Sequence, residues 1–100
     1  MNQKAAQPDI RVTVKVFGGL RESFQGGTQT VDLLAQSTIG DLLQALGAHA
    51  PQLACKLQSG LEAGYLNVLV NGRNVYFLHG LDTILNDTDS VAFLPPVGGG

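Results

Sequence analysis

Residues 10–17 read IRVTVKVF and residues 91–94 read VAFL. In the first stretch Ile10, Val12, Val14 and Val16 alternate with Arg11, Thr13, Lys15 and Phe17, the period-two signature of a half-buried strand. In the second, Val91 and Phe93 alternate in the same way, and Pro95-Pro96 closes the stretch because proline cannot continue a ladder. A helix pattern lies between these two strands. Thr38 supplies a hydroxyl cap, Asp41 follows three residues later, and Ile39, Leu42, Leu43 and Leu46 recur at helical spacing. Gly47 and Pro51 set the expected end of this helix near Ala48, with residues 51–58 adding a short second turn and residues 59–64 forming a loop.

The remaining segments fill in a sheet. Thr28 to Leu34 alternates weakly after the Gly18-Gly19 and Gly26-Gly27 loop and reads as the hairpin partner of the first strand. Leu66 to Val70 is a strand, Asn71-Gly72 a hairpin turn, and Val75 to Leu78 a returning strand. Leu81, Ile84 and Leu85 suggest a short helical turn, and Asp87-Thr88-Asp89 turns the chain into the last strand. The order ββαββ plus a terminal β buries both apolar faces with one sheet and one helix layer. The fold expected is an α+β roll of the β-grasp (ubiquitin-like) type, with a mixed four- to five-stranded sheet and one main helix. Val91–Leu94 is expected in a central slot, parallel to Ile10–Phe17. Residues 1–9 read as a flexible N-terminal extension, 10–97 as the folded domain and 98–100 as a flexible glycine tail.

Composition narrows the function classes. With 100 residues, 44% apolar and 14% charged, the chain has enough to bury for one domain. A net charge of −2 argues against a basic nucleic-acid-binding surface. One cysteine forms no internal disulfide, and one cysteine with two histidines suggests no zinc or iron–sulfur site built by this chain alone. Short apolar runs and a polar first nine residues point to a cytoplasmic protein with no membrane span and no secretory signal. Cys55 reads as a buried structural thiol, and His49 and His79 as surface or capping residues. Asp82, Asp87 and Asp89 lack the glutamate of an EF-hand loop, and neither glycine pair carries the lysine of a phosphate loop.

What is left is the end, Pro95-Pro96-Val97-Gly98-Gly99-Gly100. It follows a strand without a linker, is stiffened by two prolines, and spans up to ~20 Å at about 3.3–3.6 Å per residue. The segments VAFLPPVGGG, LNVLVNGRNVYF and GLDTILNDTDSV together resemble the MoaD/ThiS-like ubiquitin-like sulfur carriers, in particular the molybdopterin-synthase small subunit. The resemblance covers nearly all of residues 10–100; residues 1–9 extend beyond the usual start, and Gly98 stands where relatives often carry another small residue.

The resemblance implies a protein-borne sulfur donor rather than an enzyme. Gly100 would be the site of adenylation and thiocarboxylate formation, with Gly98 and Gly99 threading a partner's active site, where the absence of Cβ gives the needed freedom. A ubiquitin-activating-like adenylating enzyme would use ATP, a sulfur donor enzyme would supply sulfur, and the molybdopterin-synthase large subunit or an equivalent acceptor would receive it. No bound cofactor or metal and no catalytic residue is implied. Carriers for thiamine, cysteine or other sulfur metabolites, a modifier joined to lysines, and an interaction module with a silent tail are the alternatives.

Pleat arithmetic adds a surface. With the valines of residues 10–16 turned inward, Phe17 faces out, as do Leu69 and Leu94 on their strands. Neighbouring strands would gather these three beside the tail as a partner interface, with Pro95, Pro96 and Val97 extending it and Arg73, Arg11 and Lys15 at its rim.

Overall fold

The computed structural model describes residues 10–18 and 24–94. The N-terminal extension and the segment Pro95–Gly100 lie outside the described residues. β1 (Ile10–Val16) pairs antiparallel with β2 (Thr28–Leu33), from Ile10 opposite Leu33 to Lys15 opposite Thr28. After α1 (Ile39–His49) and α2 (Pro51–Ala63) come β3 (Asn67–Val70), a two-residue β4 (Arg73–Asn74) and β5 (Ser90–Leu94). The sheet order is β2-β1-β5-β3-β4. β5 runs parallel to β1, with Val14 opposite Val91 and Val16 opposite Phe93. On its other side β5 is antiparallel to β3, with Val68 opposite Phe93. This is the expected mixed β-grasp sheet, with the last strand in the centre.

The alternation of β1 decides the layers. Val12, Val14, Val91 and Phe93 are fully buried against Ile39, Leu42, Leu46, Leu53 and Leu57 of the helix layer. The start of α1 follows from its capping box. The Asp41 amide donates to Thr38 Oγ1 at 3.2 Å, and the Thr38 amide donates to Asp41 Oδ2 at 2.9 Å. Two orphan donors of the first turn are satisfied by residues three apart.

The helix layer departs from expectation. Two helices cover the sheet, and residues 59–63 continue α2 instead of looping. Pro51 opens α2 at a position where its missing N–H has no intrahelical role. Leu53, Leu57 and Leu61 carry the apolar stripe on at four-residue spacing. Gly60 sits inside the helix because Leu66 packs over it; a Cβ there would lie 3.1 Å from the Leu66 Cβ. The true stop is Gly64, at φ 80, where the Tyr65 amide folds back to the Gly60 carbonyl at 2.8 Å. Cys55, expected buried, is exposed, because it lies two residues, or about 200°, from Leu53 around the helix.

The second half of the sheet is also revised. Val75–Leu78 does not form a returning strand. The Asn74 side-chain oxygen accepts from the Tyr76 amide at 2.8 Å and bends Val75–Phe77 into a 3-10 turn. A second 3-10 turn, Gly80–Asp82, replaces the helical turn expected around Leu81–Leu85. Leu85 enters the core there, while Leu81 and Ile84 remain exposed.

A polar clasp seats β5. Thr13 donates its amide to the Asp89 carbonyl at 2.9 Å, and Thr88 donates to the Arg11 carbonyl at 2.8 Å. The Asp89 carboxylate accepts from the Asn86 amide at 2.8 Å and from Asn71 Nδ2 at 2.9 Å. Asn71 in turn accepts the Ser90 amide on Oδ1 at 2.9 Å. Asn71 and Gly72, at φ 52 and 87, form the left-handed pair that a tight hairpin between β3 and β4 requires.

Leu57→Ala should lower unfolding free energy by about 2–5 kcal/mol, whereas Cys55→Ser should change it by less than ~0.5 kcal/mol. Equilibrium denaturation of the two variants checks this. Comparable losses at both positions would contradict the face assigned to α2.

Candidate functional site

The parallel pairing of β1 and β5 brings their C-terminal ends to the same end of the sheet. Leu94, the last described residue, therefore stands at that end, opposite Asn67 of β3. The segment Pro95–Gly100, which holds the expected reactive terminus Gly100 and the threading residues Gly98 and Gly99, continues from Leu94 and lies outside the described residues.

The register fixes which side chains share the sheet face away from the helices. Lys15, Ala92, Leu69 and Asn74 form one row across β1, β5, β3 and β4. Leu94 and Asn67 form the next row toward the tail, with Phe17 one residue beyond the end of β1. Leu69, Ala92 and Leu94 are half-buried, and Phe17 is 42% exposed. Leu69 and Leu94 are diagonal neighbours across the β3–β5 pair, a separation of roughly 7–8 Å at Cα. The face near the tail is thus apolar with Lys15 at its side. Ala92 was missed in the sequence because its place in the row depends on the strand register.

Charged groups collect at the opposite end of this face. Arg11 Nε donates to Asp32 Oδ1 at 2.7 Å across β1 and β2. That hydrogen bond raises the Arg11 pKa and lowers that of the Asp32 carboxyl. Both side chains are solvent-exposed, so the pair orders the rim more than it stabilises the fold. The Arg11 amide also donates to Asp87 Oδ1 at 2.8 Å. Arg73 is exposed and lies across from Val70 at the hairpin, so it borders the sheet end away from Leu94. His49 and His79 are exposed. Among the described residues no three His, Cys, Asp or Glu side chains gather where a metal would fit, and no helix is long and apolar enough to cross a membrane.

A second apolar feature borders the Leu94 end of the sheet. Tyr76 and Phe77 are 82% and 80% exposed and meet edge to face at a centroid distance of 5.2 Å. Reading residues 75–78 as a strand concealed this pair; the Asn74 cap was the signal available in the sequence.

Such a sheet, with a terminal strand at its centre, is matched widely among known proteins. The family model of the ThiS family matches residues 14–100. The small archaeal modifier protein 3 of Haloferax volcanii is 45% identical over 65 residues, spanning 64% of this chain and 71% of that protein. The sulfur carrier protein CysO of Mycobacterium tuberculosis is 33% identical over 95 residues, covering 91% of this chain and all of that protein. The molybdopterin synthase sulfur carrier subunit of the same organism is 32% identical over 92 residues, covering 91% and 99%. The solution structure of the small archaeal modifier protein 1 of Methanosarcina acetivorans superposes with a TM-score of 0.75 at 33% identity, over 91% of this chain and 97% of that one. A family match reaching residue 100, on a β-grasp domain whose last central strand leads into the glycines, makes this chain a member of the ThiS family of ubiquitin-like sulfur carriers and modifiers.

Proposed function

We propose that this protein carries sulfur as a thiocarboxylate on Gly100. The observation that supports the reading is the placement of β5. Held between β1 and β3, it ends at Leu94 directly before Pro95-Pro96-Val97-Gly98-Gly99-Gly100, and the family match continues through those residues. A free α-carboxyl titrates at about 3.3–3.7, so at neutral pH the terminus is a carboxylate and a poor acyl donor. An adenylating partner joins it to AMP from ATP and releases pyrophosphate. A sulfide-level sulfur nucleophile then attacks the acyl carbon and expels AMP, splitting one difficult substitution into two easier ones. The chain itself contributes the acyl group and its reach, and the partners contribute the catalysis. In this reading the chain needs no cofactor of its own; ATP is consumed by the partner, which suits a cytoplasmic setting.

The acceptor favoured here is the molybdopterin-synthase large subunit or an equivalent enzyme, on the strength of the PPV-x-Gly-Gly end and the VNG hairpin. The relative bearing the molybdopterin name supports this choice, and the CysO relative supports the same chemistry with a different acceptor. A second reading, a modifier joined through Gly100 to target lysines, is favoured by the modifier proteins among the relatives. Both readings use the same acyl-adenylate, so the product separates them.

Docking is assigned to Phe17, Leu69 and Leu94, with Pro95, Pro96 and Val97 continuing from them toward the partner; Arg73, expected at the rim, is left out because its pairing with Val70 puts it at the other end of the sheet. Leu94→Glu should weaken binding to the adenylating enzyme by about tenfold or more while the domain stays folded, because an unpaired carboxylate is costly in an apolar interface. Calorimetric titration checks this, and an unchanged Kd would remove Leu94 from the interface.

Incubated with adenylating enzyme, ATP and a sulfur donor, the intact protein should gain about 16 Da, one oxygen exchanged for one sulfur. Deleting Gly100 should abolish the gain although Gly99 then ends in a carboxylate, since the tail loses ~3.3–3.6 Å of reach and misplacement by about 1 Å costs on the order of a hundredfold in rate. Intact-mass spectrometry reads both. A full-rate gain without Gly100 would make Gly98-Gly99 the working pair; lysine conjugates without any thiocarboxylate would favour the modifier.

A further inference from the structure

Between the C-terminal turn of α2 and the Val75–Phe77 turn runs a groove of about 660 Å³, which meets the sheet face assigned to docking at Asn67 and Asn74. Leu61, Leu66, Val75, Tyr76, Phe77 and Leu81 form its apolar walls, and Glu62 carries the single charge among its lining residues. Val75 is buried and the Asn74 side chain caps the turn, so Tyr76 and Phe77 are presented on a fixed platform. Two large aromatics this exposed on a small domain mark an interaction surface.

The place of the groove identifies its occupant. Asn67, the register partner of Leu94, also lines the groove. Six residues follow Leu94, and their reach is at most ~20 Å. An enzyme that closes on Gly100 therefore has to sit over the surface around Leu94 and Asn67. Every destination of the tail, sulfur or lysine, first requires adenylation.

We propose that this groove is a second docking site for the adenylating enzyme, taking an apolar side chain of that enzyme, flanked by a basic residue facing Glu62, while the tail occupies its active site. The inference rests on the reading of Gly100 as the adenylated terminus. It assigns to Tyr76 and Phe77 a role in binding and none in the acyl chemistry.

The test is ATP–pyrophosphate exchange by the cognate adenylating enzyme, with this full chain as the varied substrate. Tyr76→Ser combined with Phe77→Ser should raise KM by about tenfold or more and leave kcat within about twofold, the signature of lost binding without lost chemistry. The melting temperature should not fall, because both side chains are exposed in the free protein. An unchanged KM with wild-type exchange intact would overturn the groove as a docking site. No exchange with the wild-type chain would instead overturn the reading of Gly100. Should the double variant fail to fold, amide shift mapping of the wild-type chain with the enzyme decides: shifts at Leu66, Tyr76 and Phe77 support the proposal, and their absence overturns it.

Discussion

The parallel pairing of β5 with β1 is the constraint on which the rest of this molecule depends. Strands that neighbour in the sheet here come from opposite ends of the sequence, so neither hairpin completes the core alone. Phe93 and Val91 fill the centre of the apolar layer, touching strands on both sides and facing the helices. The clasp of Asp87, Asp89 and Asn71 specifies where β5 begins, and hence the register in which Val91 meets Val14. A slip of one residue would turn Val91 and Phe93 to solvent and Ala92 and Leu94 into the core.

This arrangement serves a carrier because it separates two jobs. The buried strand fixes where the last segment begins, and the six residues after Leu94 include the Gly100 proposed to carry the thiocarboxylate. The ion pair of Arg11 and Asp32 sits at the far end of the sheet from Leu94. Near Leu94 the outer face offers Phe17, Leu69 and Ala92, with Lys15 as the charged neighbour in that row. Under the proposed function, a partner that takes the tail would meet this apolar surface, where contact contributes to binding.

The parts legible in the sequence were those whose signal is local. The alternation of Ile10–Val16, the capping box of Thr38 and Asp41, and the Asn71-Gly72 turn each state their structure within a few residues. The placement of β5 beside β1 followed from the apolar alternation of both segments, with a helix between them to cover one face. The errors arose where a distant contact outweighed local propensity. Gly60 reads as a helix breaker costing about 1 kcal/mol, yet Leu66 needs the space that a side chain there would take. The apolar run after Arg73 reads as a strand, yet one Asn74 hydrogen bond redirects it into a 3-10 turn and leaves Tyr76 and Phe77 in solvent. For the same reason the outward residues Phe17, Leu69 and Leu94 could be named from the pleat, whereas Ala92 and the aromatic groove required the register and the fold.

Native-state hydrogen exchange at β5 tests the central claim most directly. If β5 closes the core, the amides of Val91, Ala92 and Phe93 exchange only through global unfolding, with an opening free energy equal to that from denaturation. Exchange of these amides through a lower-energy opening, while the β1–β2 pair stays protected, would contradict the account: β5 would then be an appended strand, and the origin of the tail would not be fixed by the fold.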